Sequence, residues 1–297
     1  MRHVDVLIPA FGRPAGLAVV LTSLLGQTYP DFNVIISDQT DTEPIPTETL
    51  EVQMLARMLR WRGHEVTIHR HRPRRGIAEQ RQFLLEQSCA PYVHYLDDDV
   101  LLDSAVLERM VSVLQTEGCG FVGCAAAGLQ YLDDVRADTH ASLEQWVGPV
   151  RPELIDPDSF AAIVHRASVN SAANPLHLEA KHCADGQVVR YKLAWIGGAN
   201  MLFDREKLLS VGGFSWWNRL SPQHVGEDAL AQALLLRSYG GCGILPCGTY
   251  HLCLPTTVPD RRRNAIEILG ELIAAYDVQP IGEAAPLLRR RELGAVE

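Results

Sequence analysis

Short apolar runs alternate with helical patterns through the first 125 residues, and this alternation restricts the fold more than any other feature of the chain. Val4-Asp5-Val6-Leu7-Ile8 reads as a buried strand stopped by Pro9, and Arg13-Pro14 opens a helical pattern through Leu17, Val20, Leu21, Leu24 and Leu25. Val34-Ile35-Ile36-Ser37-Asp38 is a second strand that closes on a carboxylate. Glu48 to Trp61 reads as a helix, Glu65 to His71 as a third strand, Gly76 to Gln87 as a helix, and Tyr92 to Leu96 as a fourth strand. Strands alternating with helices predict parallel β-α-β units, whose right-handed crossovers leave the strand C-termini along one edge. Ligands in open α/β sheets bind at that edge. Here it collects Pro9-Ala10, Asp38 and the run Asp97-Asp98-Asp99.

The three aspartates carry the chemistry of that edge. Alternation along a strand turns Asp97 and Asp99 the same way and Asp98 the other. Two hard oxygen donors at a sheet edge suit Mg²⁺ or Mn²⁺, which bind carboxylate and water and complete their shell with substrate phosphates. The competing reading is a solvated acidic turn, and only context separates the two.

A formal charge of −9 argues against a general nucleic-acid binder, so any phosphate site must be local. Seven scattered cysteines fit reduced thiols better than a disulfide framework, and Cys242, Cys247, Cys253 and His251 lack the paired spacing of a zinc site. Met1 to Pro9 is too polar for a signal peptide, and no run is long enough to span a bilayer, so a cytoplasmic protein is expected. In the tail, Arg261-Arg262-Arg263 precedes Ile266, Ile268, Leu269, Leu272 and Ile273, and Leu287-Leu288 precedes Arg289-Arg290-Arg291. Basic clusters beside apolar faces can rest on anionic membranes. A terminal helix packed on its own domain is the favoured reading.

After Val100 a helix is expected from Ser104 to Thr116 and a strand over Gly120-Phe121-Val122-Gly123-Cys124. From about Gln130 to Val189 the chain is poorly periodic and longer than a compact connection needs, which suggests a lid or acceptor-recognition insertion. A surface excursion is the alternative.

Several segments occur in an ordered set. Val6-Leu7-Ile8-Pro9-Ala10-Phe11, Leu24-Leu25-Gly26-Gln27-Thr28-Tyr29-Pro30, Ile36-Ser37-Asp38, Gly76-Ile77-Ala78-Glu79-Gln80-Arg81-Gln82, Tyr95-Leu96-Asp97-Asp98-Asp99, Gly197-Gly198-Ala199-Asn200 and Gly226-Glu227-Asp228 together resemble the inverting family 2 glycosyltransferases of GT-A fold. The resemblance covers roughly residues 4 to 255. It implies an α/β, Rossmann-like mixed sheet flanked by helices, with a nucleotide-sugar half (1–125), an acceptor and catalytic half (126–258) and a C-terminal helical tail (259–297).

The resemblance also implies roles. Pro9 and Ala10 would approach the nucleotide, Asp38 would bond base or ribose, Gly76 would allow close backbone approach, and Arg81 would face ribose or diphosphate. Asp97 and Asp98 fall in the nucleotide-binding set, with Asp97 on ribose or metal and Asp99 as principal ligand of Mn²⁺ or Mg²⁺. Asp228 would be the general base and Glu227 would orient it or the acceptor; both fall in a first helical turn, where the helix dipole alone also favours acids. Gly198, Trp216 and Trp217 are candidate acceptor contacts, and His251 is a candidate third metal ligand or a packed core imidazole. The implied partners are a nucleotide-diphospho-sugar donor and a hydroxyl acceptor: a glycan, lipid or metabolite.

Gln80 and Gln82 depart from the family's usual small residue and Asn. The Gln-x-x-Arg-Trp motif of processive synthases is absent, which favours addition of one sugar. Two rivals are a sugar-phosphate nucleotidyltransferase, disfavoured by the single glycine in Pro9-Ala10-Phe11-Gly12-Arg13-Pro14, and a non-catalytic binding protein, disfavoured by the intact carboxylates.

Overall fold

The computed structural model describes residues 2–154, 165–183 and 186–276. Its main sheet has eight strands: β1 (Val4–Ala10), β2 (Phe32–Asp38), β3 (Val66–Arg70), β4 (Tyr92–Leu96), β6 (Phe121–Gly123), β8 (Val189–Tyr191), β9 (Asn200–Asp204) and β10 (Gly241–Leu245). Their order across the sheet is β3-β2-β1-β4-β9-β6-β10-β8. The first four are parallel, as the β-α-β alternation predicts, and β9 runs antiparallel between β4 and β6. β1 carries the continuous burial of a central parallel strand, with Asp5 accepting a hydrogen bond from the Ser88 hydroxyl at 2.6 Å.

Pro9 does not stop β1. The strand continues to Ala10, with Pro9 opposite Ser37 and Ala10 opposite Asp38. Pairing to β4 has already ended at Leu7, so the missing N–H falls where only one neighbouring strand remains.

The crossover helices are α1 (Pro14–Leu25), α2 (Leu50–Trp61), α3 (Ile77–Gln87) and α4 (Val106–Glu117). α3 packs on β1 and β2, and α4 on β6 and β9. Beyond them, α5 (Ala137–His140) and α6 (Pro175–His182) belong to the irregular region, followed by α7 (Arg205–Ser210), α8 (Glu227–Tyr239) and α9 (Leu269–Tyr276). A second sheet of three short strands, β5 (Val100–Leu102), β11 (Thr249–His251) and β7 (Ala127–Gly128), lies in the order β5-β11-β7. It escaped the sequence because two or three residues carry no readable period.

The tail packs on its own domain. Leu272 of α9 is buried, the Tyr276 hydroxyl lies 3.2 Å from that of Ser215, and the Asn264 side chain caps the turn Ala265–Ile268. Leu287-Leu288 and Arg289-Arg290-Arg291 lie outside the described residues. Among the described residues no helix is long and apolar enough to cross a membrane.

At the end of β2, Asp38 has no exposed surface. Its Oδ1 accepts the Thr40 N–H at 2.9 Å, its Oδ2 accepts the Thr47 N–H and hydroxyl at 3.2 and 2.6 Å, and Arg70 Nη1 stands 3.1 Å from Oδ2. The carboxylate expected to meet a base or ribose is thus spent on pinning the 39–48 loop. Asp38→Ala, which strands these donors, should cost about 3–5 kcal/mol in urea unfolding. A nucleotide-specificity change in a fully stable Asp38→Ala protein would contradict this placement.

Candidate active site

The site forms where β4 ends, because pairing delivers three distant segments there. Leu96 opposes Asn200, and the Asp97 N–H donates to the Ala199 carbonyl at 3.0 Å, so Gly198 lies beside Asp97. Val100 opposes His251 across the small sheet, which brings His251 to Asp99. Arg81, on the second turn of α3, is only 2% exposed. Its Nη2 donates to Asp97 Oδ1 at 3.2 Å and to the Gly198 carbonyl at 3.3 Å, while its Nε lies 3.2 Å from Glu227 Oε1. Nη1 is buried and has no hydrogen bond within the described chain.

The two carboxylates of the Glu-Asp pair differ in environment. Glu227 is buried, and that burial, with the negative charge of Asp228 beside it and against the attraction of Arg81, raises its pKa to about 7. Asp228 is half-buried and therefore reachable. Gly198 makes room for it: a Cβ there would sit 2.6 Å from Arg81 Nη2 and 3.0 Å from Asp228 Oδ2. Gly226, at φ +80°, starts α8 against the Asn264 side chain, and no residue with a Cβ would fit that contact.

The three aspartates diverge. Asp97 keeps part of its side chain exposed, whereas Asp98 turns away and accepts the Phe11 N–H at 3.0 Å and Arg13 Nη1 at 3.1 Å. Burial pushes the Asp98 carboxyl up to about 7 despite both donors. Its expected place in the nucleotide-binding set gives way to holding the β1–α1 loop. Arg13 Nη1 also reaches Asp99 Oδ2 at 2.5 Å, and its Nη2 donates to the Pro255 carbonyl. The sequence alone presents Arg13 only as a helix opener; a cation three residues after Ala10, the last residue of β1, is the available signal. Arg13, Phe11, Arg74, Pro255 and Thr257 line a cavity of about 670 Å³, within the range of small-ligand sites.

As a metal site the residues fit in part. Among the described residues no group of three or more His, Cys, Asp or Glu could hold an ion, but a cation shared with substrate phosphates needs only one or two carboxylates. Asp97 and Asp99 are of that type. His251 Nε2 lies 3.6 Å from Asp99 Oδ2, yet its Nδ1 accepts the Cys253 N–H at 2.8 Å. The ring proton therefore sits on Nε2, and ligation through that atom would require giving up the Cys253 contact.

Other expectations meet different surroundings. Trp216 is 1% exposed and packs beside Phe214, so it is core rather than an acceptor platform; Trp217 is half-buried, with the Arg75 guanidinium 6.0 Å from its ring centre. Gly76, at φ +110°, does allow a close approach, but to His224 and Pro222. Gln80 donates to the Ser37 carbonyl at 2.6 Å, and Gln82 accepts the Phe214 N–H at 2.9 Å, so both departures from the family pattern serve packing. Pro9 and Ala10 are buried at the floor of the edge.

Glu227 gives a pH test. Its folded pKa of about 7 lies above the ordinary 4.5, so the native state binds the extra proton between these values. The stability it contributes is present below the lower value and lost as pH rises through the upper. Between about pH 5 and about pH 8, the melting temperature of wild type should fall relative to that of Glu227→Gln. Parallel curves would overturn the assignment.

Residues 5–169, more than half of the chain, match the family model described as glycosyl transferase family 2. A curated protein of Haemophilus influenzae, described as an uncharacterized glycosyltransferase, is 26% identical over 111 residues. The match covers 37% of this chain and 34% of that protein, so the chain spans about a third of its relative. Among solved structures, S. aureus TarS superimposes with a TM-score of 0.54 at 12% identity, over 93% of this chain and 39% of TarS. TarS 1–349 in complex with UDP-GlcNAc gives 0.53 at 13% identity, over 93% and 66%. At such identities the likeness is one of fold, and that fold is GT-A. With its mixed sheet and its ordered edge motifs, the chain belongs to glycosyl transferase family 2.

Proposed function

We propose that this chain transfers one sugar from a nucleotide-diphospho-sugar to a hydroxyl acceptor, by a single displacement that inverts the anomeric carbon. The observation that carries the reading is the Arg81 guanidinium, which joins Asp97 of the acidic strand end to Glu227 beside Asp228 and keeps Nη1 unspent. Donor-side and acceptor-side carboxylates are thereby held by one cation.

Each residue then has work that its surroundings support. Asp228, reachable and unobstructed across Gly198, removes the acceptor hydroxyl proton as the oxygen attacks. Glu227, held on Arg81, orients the first turn of α8 and with it the base. The cavity beside Arg13 and Arg74 accommodates the nucleotide. Asp99 and Asp97 would hold Mn²⁺ or Mg²⁺, which when bound supplies Lewis-acid neutralisation of the departing diphosphate. Arg13 must yield part of its contact with Asp99 for that carboxylate to ligate.

The reading is tested by thermal stabilisation with UDP, GDP, TDP and CDP, each with and without Mn²⁺. One nucleotide should shift the melting point, and only with metal. Asp99→Asn should lose that shift. Asp228→Asn should keep it while turnover falls on the order of 10²–10⁴-fold. Near-normal turnover by Asp228→Asn would remove it as the base, and no shift with any nucleotide would remove the transferase reading.

A further inference from the structure

His224 is 1% exposed and fully engaged, and nothing in the sequence reading singled it out. Its Nδ1 lies 2.6 Å from the Ser221 carbonyl and its Nε2 accepts the Ala78 N–H at 3.3 Å, across 146 residues of chain. A carbonyl only accepts and a backbone N–H only donates, so the tautomer is settled: the proton is on Nδ1 and the lone pair on Nε2 faces α3.

That contact completes a helix start. The N-terminal N–H groups of a helix have no partners within it, and Gly76, the residue preceding α3, has no side chain to supply one. His224 provides the cap from another part of the chain. Gly76 permits it, since a Cβ there would meet His224 Cε1 and the Pro222 carbonyl, each at 2.8 Å.

The consequence lies in what stands one turn further along each segment. Three residues after Ala78 comes Arg81, and three residues after His224 comes Glu227, and these two meet as an ion pair at 3.2 Å. The α3 start and the 221–228 segment are therefore joined twice, once by His224–Ala78 and once by Arg81–Glu227. Two ties fix relative orientation where one leaves a pivot.

We propose that His224 is a positioning residue: by capping α3 it holds the Glu227-Asp228 turn in register with Arg81 and Asp97. The inference rests on the transfer reading above for its kinetic consequence, but not for its structural one. Its ring bonds the Ser221 carbonyl as well as the start of α3, so a variant that keeps the Ser221 bond and loses only the cap leaves the Pro222 and Gln223 wall of the proposed nucleotide cavity in place. Loss of the cap should appear in kcat rather than in the KM for donor.

Two amide variants separate cap from loop. The Gln amide reaches the position of Nε2 and can accept from Ala78, whereas the shorter Asn amide reaches only the position of Nδ1 and keeps Ser221. His224→Asn should lower kcat about 10- to 100-fold, the scale of a small misplacement of reacting groups. His224→Gln should restore it to within about threefold of wild type, with the donor KM little changed in either. Loss falling on KM alone, full activity in His224→Asn, or failure of Gln to rescue would each overturn the proposal. Amide hydrogen exchange gives a readout that needs no turnover. In His224→Asn the Ala78 amide and the first turn of α8 should exchange faster, while β1 and β2 stay protected; in His224→Gln both should stay slow. Unchanged exchange in His224→Asn sinks the cap itself. Accelerated exchange in a protein that transfers no sugar upholds the cap and locates the failure in the transfer reading.

Discussion

One guanidinium organises this molecule's working edge. Arg81 is buried among Asp97, the Gly198 carbonyl and Glu227, which come from a strand end, a loop and a helix start. A planar, permanently charged fork can address three directions at once, which a lysine ammonium on its flexible stem does less well. Its cost is desolvation, and the surrounding carboxylates offset it by holding the cation in place. Glu227 is raised all the same, first by its burial and then by the charge of Asp228, which together outweigh the attraction of Arg81.

The supporting structure works by register rather than by local sequence. β9 lies antiparallel to β4, so the loop before it passes Asp97; the small sheet sets β11 against β5, so His251 passes Asp99. The 221–228 segment is fastened from both sides, by His224 to α3 and by Val225 to the backbone around Asn264. The tail thereby supports the helix that carries the proposed base. Its apolar residues, whose pattern favours packing on the domain over a membrane, are used in part on this packing, as the burial of Leu272 shows.

Arg13 is a second cation of consequence. It ties Asp98 and Asp99 to the Pro255 carbonyl, while Arg74 reaches the Thr257 carbonyl and covers the Phe11 ring at 3.9 Å. The segment after β11 is thus drawn over the β1 edge by side chains from the start of α1 and from the loop before α3.

The parallel half of the sheet was legible in the sequence because long apolar strands and periodic helices report their own burial, and the strand-end carboxylates and the Glu-Asp at a helix start were legible because short acidic motifs are local. Pro9 misled at one strand end, the two- and three-residue strands of the second sheet were invisible, Trp216 was read as an acceptor contact from its aromatic character, and Asp38 took its ligand role from the family resemblance. What the sequence by itself determined was the β-α-β core, the edge where a ligand would bind and the acids that collect there. Only the tertiary structure decided which acids face that edge and which are spent on loops, that His251 presents an N–H to Asp99, and that His224 caps a helix 146 residues away. The physical reason is that hydrogen-bond partners and desolvation depend on chain segments that meet only after folding, whereas backbone periodicity is written residue by residue.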